Sequence, residues 1–177
     1  MEQDTVTIDE ELQLVAFKLG KEEFGVEISQ VREIIKLTEV TQIPNTPEFM
    51  EGVINLRGTI TPVIDLRKAL NITEGDDTDA MRIVIVEQEN ELAKTRQDHN
   101  IVGMVVDDVS EVMRLKKDDI DSNAMLQSEI STEYIRGVGK LENRLLILLD
   151  LNKVLAKGEL EKIHDFQREA TEAQAKA

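Results

Sequence analysis

The sequence predicts a mainly β domain that is built from one unit used twice. Gly52–Leu66, with the sequence GVINLRGTITPVIDL, contains two short apolar runs joined by Arg57-Gly58. Glycine adopts positive φ at little cost, so this pattern is typical of a tight β-hairpin with an arginine at its tip. Gly137–Leu151, GVGKLENRLLILLDL, repeats the pattern with Asn143 in the place of Gly58. Because the repeat of about eighty residues is too long for a solenoid, the duplication favours small barrels or a sandwich.

The first half of the chain is predicted to contain short strands, three helical segments and the hairpin. Alternation of apolar and polar residues predicts the strands, while hydroxyl side chains, a proline and a glycine mark the helical segments. The chain begins with predicted strands at Leu12–Leu19 and Phe24–Ile28, which are joined by a polar turn at Lys21–Glu23. A short helix follows, which Ser29 caps and which carries Val31, Ile34 and Ile35. The remaining predicted elements are, in order, a strand at Val40–Ile43, one helical turn from Thr46 to Gly52, the hairpin, and a short helix at Leu66–Leu70.

The second half repeats this order after an acidic linker at Asn71–Ala80. We expect strands at Arg82–Val86 and Ile101–Val106 around a polar loop at Gln88–Asn100. The repeat then continues with matched pairs, which are Gly25 and Gly103, Val31 and Val109, Glu33 and Glu111, Thr46 and Ser131, and Phe49 and Tyr134. The domain is therefore expected to span residues 12–157. A disordered acidic tail at residues 1–11 precedes it, and an amphipathic helix or tail at residues 158–177 follows it.

The composition excludes several classes of partner and site. The chain has 177 residues and a formal net charge of −15, which argues against nucleic acid and against anionic lipid surfaces. It contains no cysteine, so disulfides and thiolate metal sites are excluded. The polar N-terminus does not resemble a secretory signal, and no apolar run approaches the roughly twenty residues of a membrane span. We therefore expect a cytoplasmic protein without direct membrane insertion.

No group of residues with a catalytic pattern is recognisable. His99 and His164 lack companions at the spacing of a metal site. Asp76–Asp79 resembles the start of a calcium loop but lacks its glycine and its distal glutamate. An enzyme, a metal and a cofactor are therefore not expected. A ligand-binding barrel would need a pocket with convergent polar groups, for which the sequence offers no candidate cluster.

Arg57 is the side chain that most suggests a function. Glu33 follows a predicted strand of the same unit, and a carboxylate–guanidinium pair would orient the arginine for recognition of a partner. The second unit has Glu142 at the position of Arg57, so the turn itself does not require this charge. On the predicted helix after Ser29, Val31, Ile34 and Ile35 are core residues or an exposed groove for a partner.

Three ordered motifs resemble a known family. Asn55–Leu66 (NLRGTITPVIDL), preceded by Gly25–Ile34 (GVEISQVREI) and Ile43–Val53 (IPNTPEFMEGV), is similar to the CheW family of chemotaxis adaptors. The resemblance runs from about Leu12 to Leu155 and implies two intertwined five-stranded β-barrels with a hydrophobic core between them. It also implies a scaffold without catalytic activity. By motif position, the partner-binding residues would be Val31, Glu33, Gly52, Arg57 and Gly58.

The resemblance also implies the partners. A methyl-accepting chemoreceptor would present its cytoplasmic hairpin tip to a groove between the barrels, and the histidine kinase CheA would dock through its regulatory domain. Further copies of the adaptor are possible neighbours in membrane-associated arrays. The alternative is a CheV-type protein or another CheW-domain scaffold with a different regulatory role. We expect the segment after Leu155 to be too short for the added phosphoacceptor domain of the CheV type.

Overall fold

The computed structural model describes residues 11–73, 75, 77–87, 101–121 and 134–155, and most of them lie in β-strands. The predicted loop at Gln88–Asn100 and the tails at 1–10 and 158–177 lie outside the described residues. The strands are β1 Glu11–Leu19, β2 Glu22–Glu27, β3 Val31–Lys36, β4 Met50–Leu56, β5 Thr59–Asp65, β6 Arg82–Glu87, β7 Ile101–Val106, β8 Asp108–Lys116, β9 Ile120–Asp121, β10 Ile135–Leu141 and β11 Arg144–Leu149. Two short helices, α1 Leu66–Ala69 and α2 Leu151–Leu155, and two 3-10 turns, Ile28–Gln30 and Lys117–Asp119, complete the described elements.

The strands form two sheets, and each sheet takes strands from both halves of the chain. One sheet has the order β8-β1-β2-β11-β10-β9, and the other has the order β3-β6-β7-β5-β4. The first hairpin, β1–β2, therefore lies among strands of the second half, and the β6–β7 hairpin lies among strands of the first half. This exchange confirms the predicted intertwined, mainly β fold.

The duplication is visible in the strand register. Gly25 of β2 lies opposite Leu148 of β11 in a parallel pair, and Gly103 of β7 lies opposite Val63 of β5 in the equivalent parallel pair. Both β3 and β8 carry a register shift at the same place in the repeat. Each half therefore supplies an equivalent set of strands. The six-stranded sheet has one additional edge strand, β9, which contains only two residues.

The main hydrophobic core lies between the two sheets. Phe17 and Phe24 are fully buried there, with their rings stacked at 6.3 Å between centroids. The same cluster contains Met104 and Val106 of β7 and Leu149 of β11, so both halves contribute to it. Two smaller clusters lie within the individual sheets. Because removal of apolar surface from water is the main favourable term in folding, this shared core joins the two halves.

Four predicted local elements differ from the structure. The predicted helix after Ser29 is only a 3-10 turn, and Val31–Lys36 is strand β3, because this stretch pairs with β6 and alternates between half-buried and exposed residues. The predicted helical turn from Thr46 to Gly52 is wrong, since strand β4 begins at Met50. Val40–Ile43 contributes only one bridge, between Thr41 and Val53. The predicted polar turn at Lys21–Glu23 is wrong too, since β2 begins at Glu22.

Candidate partner-binding site

The site is built around the tip of the β4–β5 hairpin. Its two loop residues, Arg57 and Gly58, have φ values of 52° and 87°. Two residues with positive φ give a turn whose twist matches the flanking strands. The Gly58 N–H donates to Asn55 Oδ1 at 2.8 Å, which fixes the turn from the strand below it. The predicted hairpin with an arginine at its tip is confirmed.

The backbone of Arg57 is held in a conformation that its side chain does not favour. A left-handed conformation costs an ordinary L-residue about 1–2 kcal/mol, whereas asparagine or glycine adopts it readily. Among the described residues other than glycine, only Asn45, Arg57 and Asn71 have positive φ. Backbone conformations of this kind are enriched at functional sites, so Arg57 is a candidate functional residue.

The predicted pair of Arg57 with Glu33 is confirmed. Arg57 Nη1 donates to Glu33 Oε2 at 2.7 Å, and Arg57 Nη2 donates to Glu33 Oε1 at 3.2 Å. Glu33 lies on β3 and Arg57 lies at the end of β4, which are the two edge strands of one sheet. The Arg57 side chain remains 78% exposed, against 25% for Glu33. The carboxylate thus orients a fork whose remaining N–H groups face solvent.

Gly52 shapes the site from within β4. Its φ is 144°, and a Cβ placed on it would lie 2.0 Å from the carbonyl oxygen of Thr41. Thr41 and Val53 exchange two backbone hydrogen bonds of 2.9 Å beside it. Gly52 is therefore needed because the segment around Thr41 packs directly on β4, and not because it ends a helix.

Val31 lies where the two halves of the molecule meet. It is half-buried and packs against the core between the sheets, and so does its counterpart Val109 on β8. The register shift of β3 places Ile34 on the same side as Val31, because the β6 residues opposite both of them belong to the core between the sheets, but Ile34 is 40% exposed. Ile35 packs on the other side, against the smaller cluster within the sheet. The expectation that Val31, Ile34 and Ile35 share one helical face is wrong, because neighbouring residues of a strand alternate between its faces. Val31 and Val109 instead flank the junction of the sheets.

The second unit contains an ion pair that sequence comparison missed. Arg144 pairs with Glu111, the counterpart of Glu33, and its Nη1 also lies 3.2 Å from Glu23 Oε1. The hydrogen bond that Arg144 donates to Glu111 raises the pKa of Arg144 above its ordinary value. Glu142 at the Arg57 position suggested that the pair was lost, but the arginine stands two residues further along. Neither Glu142 nor Asn143 has positive φ, so this turn does not repeat the left-handed tip.

One cleft of the described surface is lined by charged side chains that already have partners. Arg67, Asp65 and Asp77 line this cleft of about 490 Å³, and Arg67 forms an ion pair with each of the two carboxylates. The described part of the chain contains no group of three or more His, Asp or Glu residues placed to hold a metal ion. No helix within it is long and apolar enough to cross a membrane.

Comparison with known proteins places the chain among chemotaxis proteins. The family model described as "CheW-like domain" matches residues 13–159. A chemotaxis protein CheW from Klebsiella aerogenes is 39% identical over 148 residues, which cover 84% of each chain. A chemotaxis protein CheW from Treponema pallidum is 32% identical over 160 residues, which cover 88% of each chain. A chemotaxis protein CheV3 from Helicobacter pylori is 28% identical, and the match covers 47% of that protein.

A solved structure has the same fold. The scaffolding protein TtCheW from Thermoanaerobacter tengcongensis superposes with a TM-score of 0.71 at 34% sequence identity. The match covers 81% of this chain and 87% of that one. The likeness thus extends through both halves of the duplicated fold.

Proposed function

The chain belongs to the family of CheW-like domains, and from this we propose that it is a non-catalytic adaptor of bacterial chemotaxis. It couples methyl-accepting chemoreceptors to the histidine kinase CheA by binding the receptor hairpin tip and the regulatory domain of the kinase. It acts in the cytoplasm at membrane-associated arrays, where further adaptor copies are possible neighbours. The CheW type is favoured over the CheV type because the two CheW relatives are 39% and 32% identical to this chain, whereas CheV3 is 28% identical.

The oriented guanidinium of Arg57 carries this proposal. A bidentate pair with Glu33 fixes its direction while 78% of the side chain remains exposed. Exposed ion pairs contribute only about 0–1 kcal/mol to stability, so folding alone does not account for a strained arginine at this tip. A partner that supplies a carboxylate or backbone carbonyls would use the N–H groups that Glu33 leaves free.

The apolar part of the proposed contact lies along the junction of the two sheets. Val31 and Val109 are half-buried there, and Ile28, whose carbonyl oxygen accepts a hydrogen bond from the Val31 N–H, is 37% exposed. An amphipathic receptor helix would place its apolar face against such a surface. Gly52 and Gly58 hold the adjoining hairpin in shape by adopting positive φ. These assignments for Val31, Glu33, Gly52, Arg57 and Gly58 are predictions.

The test is kinase autophosphorylation in a reconstituted mixture of receptor-bearing membranes, CheA and this protein. The informative variant is Arg57→Asn, because asparagine favours the left-handed turn and so does not weaken the hairpin. We expect an unchanged or slightly raised melting temperature together with at least a tenfold loss of receptor-coupled kinase activity.

The control is Arg136→Ala, which removes another partly exposed arginine–glutamate ion pair, on the other sheet. Arg136 Nη1 lies 3.0 Å from Glu27 Oε1, with 41% and 28% of the side chains exposed. This variant should couple the kinase as the unmodified protein does. Equal activity of the Arg57→Asn variant and the unmodified protein would contradict the role of Arg57. Absence of any coupling by the unmodified protein would contradict the proposed function itself.

A further inference from the structure

The chain passes between the two sheets at two places, and a polar contact lies at each crossing. Residues Ile28–Gln30 lead from β2 to β3, and Asp107 leads from β7 to β8. At the first crossing, Gln30 Nε2 donates to Asn152 Oδ1 at 3.2 Å, which we name the amide crossover contact. At the second, Arg67 Nε lies 3.2 Å from Asp107 Oδ1, which we name the charged crossover contact.

The two crossover contacts use equivalent helix positions in the duplicated fold, and their crossing residues lie within one position of equivalence. Arg67 is the second residue of α1, which follows β5, and Asn152 is the second residue of α2, which follows β11. Strands β5 and β11 hold the same parallel register against β7 and β2, the strands that enter the crossings. Each contact therefore joins a crossing to the helix after the neighbouring strand. The duplicated fold has kept a side-chain contact at both crossings although the chemistry of the two differs.

Both crossover contacts are shielded from water. Gln30 is 6% exposed, and the side chains of Arg67 and Asp107 are each 13% exposed. The Gly20 N–H donates to Asp107 Oδ2 at 2.7 Å. Asp107 Oδ1 accepts no hydrogen bond within the described residues, so the ion pair with Arg67 is what compensates its burial. Gly75 packs over the pair, since a Cβ placed on it would lie 2.7 Å from atoms of both Arg67 and Asp107.

Arg67 keeps its positive charge across the physiological pH range, so the charged crossover contact is not lost through the arginine. Burial lowers the pKa of Arg67, but the hydrogen bond to Asp77 and the attraction of Asp107 and Asp65 outweigh this effect and raise it above its ordinary value. A group whose pKa is raised on folding contributes its stability at every pH below its unfolded pKa, which for arginine lies far above neutrality. The pair does not act as a pH switch through Arg67.

We propose that the two crossover contacts are positioning contacts that fix the orientation of β3 relative to β8. They would thereby set the width of the surface between Val31 and Val109 at the junction of the sheets, which we name the partner groove. Gln30 directly precedes Val31, and Asp107 stands two residues before Val109. Both valines lie on the rim of the core between the sheets. Rotation at either crossing would move one flank of the groove relative to the other. The predicted effect on receptor binding rests on the proposed function, whereas the predicted effect on the distance between β3 and β8 does not.

The ion pair is better suited to fixing geometry than to adding stability. Removing two charges from water is costly, so a buried ion pair contributes little net stability. A guanidinium and a carboxylate in contact nevertheless restrict the groups that carry them to a narrow range of positions. Asp107→Asn leaves Arg67 paired with Asp65 and Asp77, so loss of the charged crossover contact should change the distance between β3 and β8 while the protein stays folded.

The experiment measures that distance directly with two nitroxide labels. The chain has no cysteine, so Arg32→Cys and Ser110→Cys introduce unique labelling sites on β3 and β8. Both residues are exposed and lie at equivalent places in the repeat. Double electron–electron resonance is recorded for this labelled protein, for the labelled Asp107→Asn variant and for the labelled Gln30→Met variant. These substitutions remove the charge or the amide with little change of volume.

We expect one narrow distance distribution in the labelled parent and a shifted or broadened one in each variant. Binding of a receptor hairpin fragment should weaken about tenfold, which corresponds to about 1.4 kcal/mol. The control is Ile83→Val, a small loss of buried volume within one sheet, which should leave the distance distribution and the binding unchanged. Distributions identical to that of the parent in both variants would overturn the proposal. If the parent binds no receptor fragment, the proposed function fails, and the distances alone decide this inference.

Discussion

Gly52 and Gly58 both have positive φ, but their surroundings differ. A Cβ on Gly58 would meet no atom within 4 Å, whereas a Cβ on Gly52 would lie 2.0 Å from the Thr41 carbonyl oxygen. A substitution at Gly58 therefore costs only backbone strain. A substitution at Gly52 also displaces the chain segment that bridges to Val53.

Gly52→Ala should therefore destabilise the protein much more than Gly58→Ala. We expect a loss of about 1–2 kcal/mol for Gly58→Ala, from the left-handed conformation alone. We expect more than about 3 kcal/mol for Gly52→Ala, because hydrogen bonds worth about 1 kcal/mol each are lost in addition. Urea denaturation of the two variants measures the difference. Equal losses would show that the Thr41 segment moves aside without cost.

Sequence reasoning found the side chains of the hairpin tip better than it found their backbone. The pairing of Arg57 with Glu33 followed from charge and from the expected closeness of the two segments. The reason for Gly52 was wrong, because its neighbour Thr41 is brought in by tertiary packing that no local pattern encodes. Arg144 was not predicted because it stands two residues after Glu142, the position that matches Arg57 in the repeat. Its long side chain nevertheless reaches Glu111.

At the scale of elements, β3 shows why short segments are ambiguous. Ser29, Val31, Ile34 and Ile35 stand at spacings that fit a helix of two turns. Burial nevertheless alternates residue by residue along Val31–Lys36, as in a strand, and β-branched side chains fit a pleated surface well. Pairing with β6 selects the strand conformation for this segment, because without β3 the backbone groups at the edge of β6 would lack a partner. Strongly patterned segments such as β1 and β6 were predicted well, because their apolar residues fit a strand and do not fit a helix equally well.

Ile34→Ala tests the strand at this position. Alanine favours helices and disfavours strands, so the substitution should destabilise β3 by about 0.5–1 kcal/mol although Ile34 is 40% exposed. Val112→Ala, at the equivalent place on β8, is the matched control and should change the free energy of unfolding in the same direction. Chemical denaturation of both variants provides the measurement. A stabilised Ile34→Ala variant would contradict a strand.

At the scale of the whole molecule, the duplication could be predicted but the route of the chain could not. Matched residues such as Gly25 and Gly103 revealed two equivalent units, and the resemblance to a family supplied their intertwining. A hydrophobic pattern specifies which face of a strand is buried but not which sheet the strand joins. The crossings at Gln30 and Asp107 therefore became visible only with the pairing of the strands. Those crossings make the two halves dependent on each other.

The exchange of hairpins predicts that neither half folds alone. A fragment of residues 1–76 keeps β1–β5 but loses β8 and β11, the neighbours of its first hairpin, and also loses β6 and β7. Its share of the common core, including Phe17 and Phe24, would be exposed to water. We expect this fragment and the complementary fragment, residues 77–177, to show no cooperative thermal transition separately by circular dichroism. Because exposed apolar surface and unpaired strand edges favour association, an equimolar mixture should regain the β spectrum and one transition.

The intact chain should likewise unfold in a single step, with the far-ultraviolet signal of the strands and the fluorescence of Tyr134 changing at the same temperature. Tyr134 is the only tyrosine of the chain and is buried in the core that both halves share, so it reports on that core. A mixture in which the first fragment carries Phe24→Ala is the matched control, and it should assemble weakly because a large buried side chain is missing from this core. A cooperative transition in either isolated fragment would instead mean that each half holds a sufficient core of its own. The sheets would then be able to move independently about the crossings.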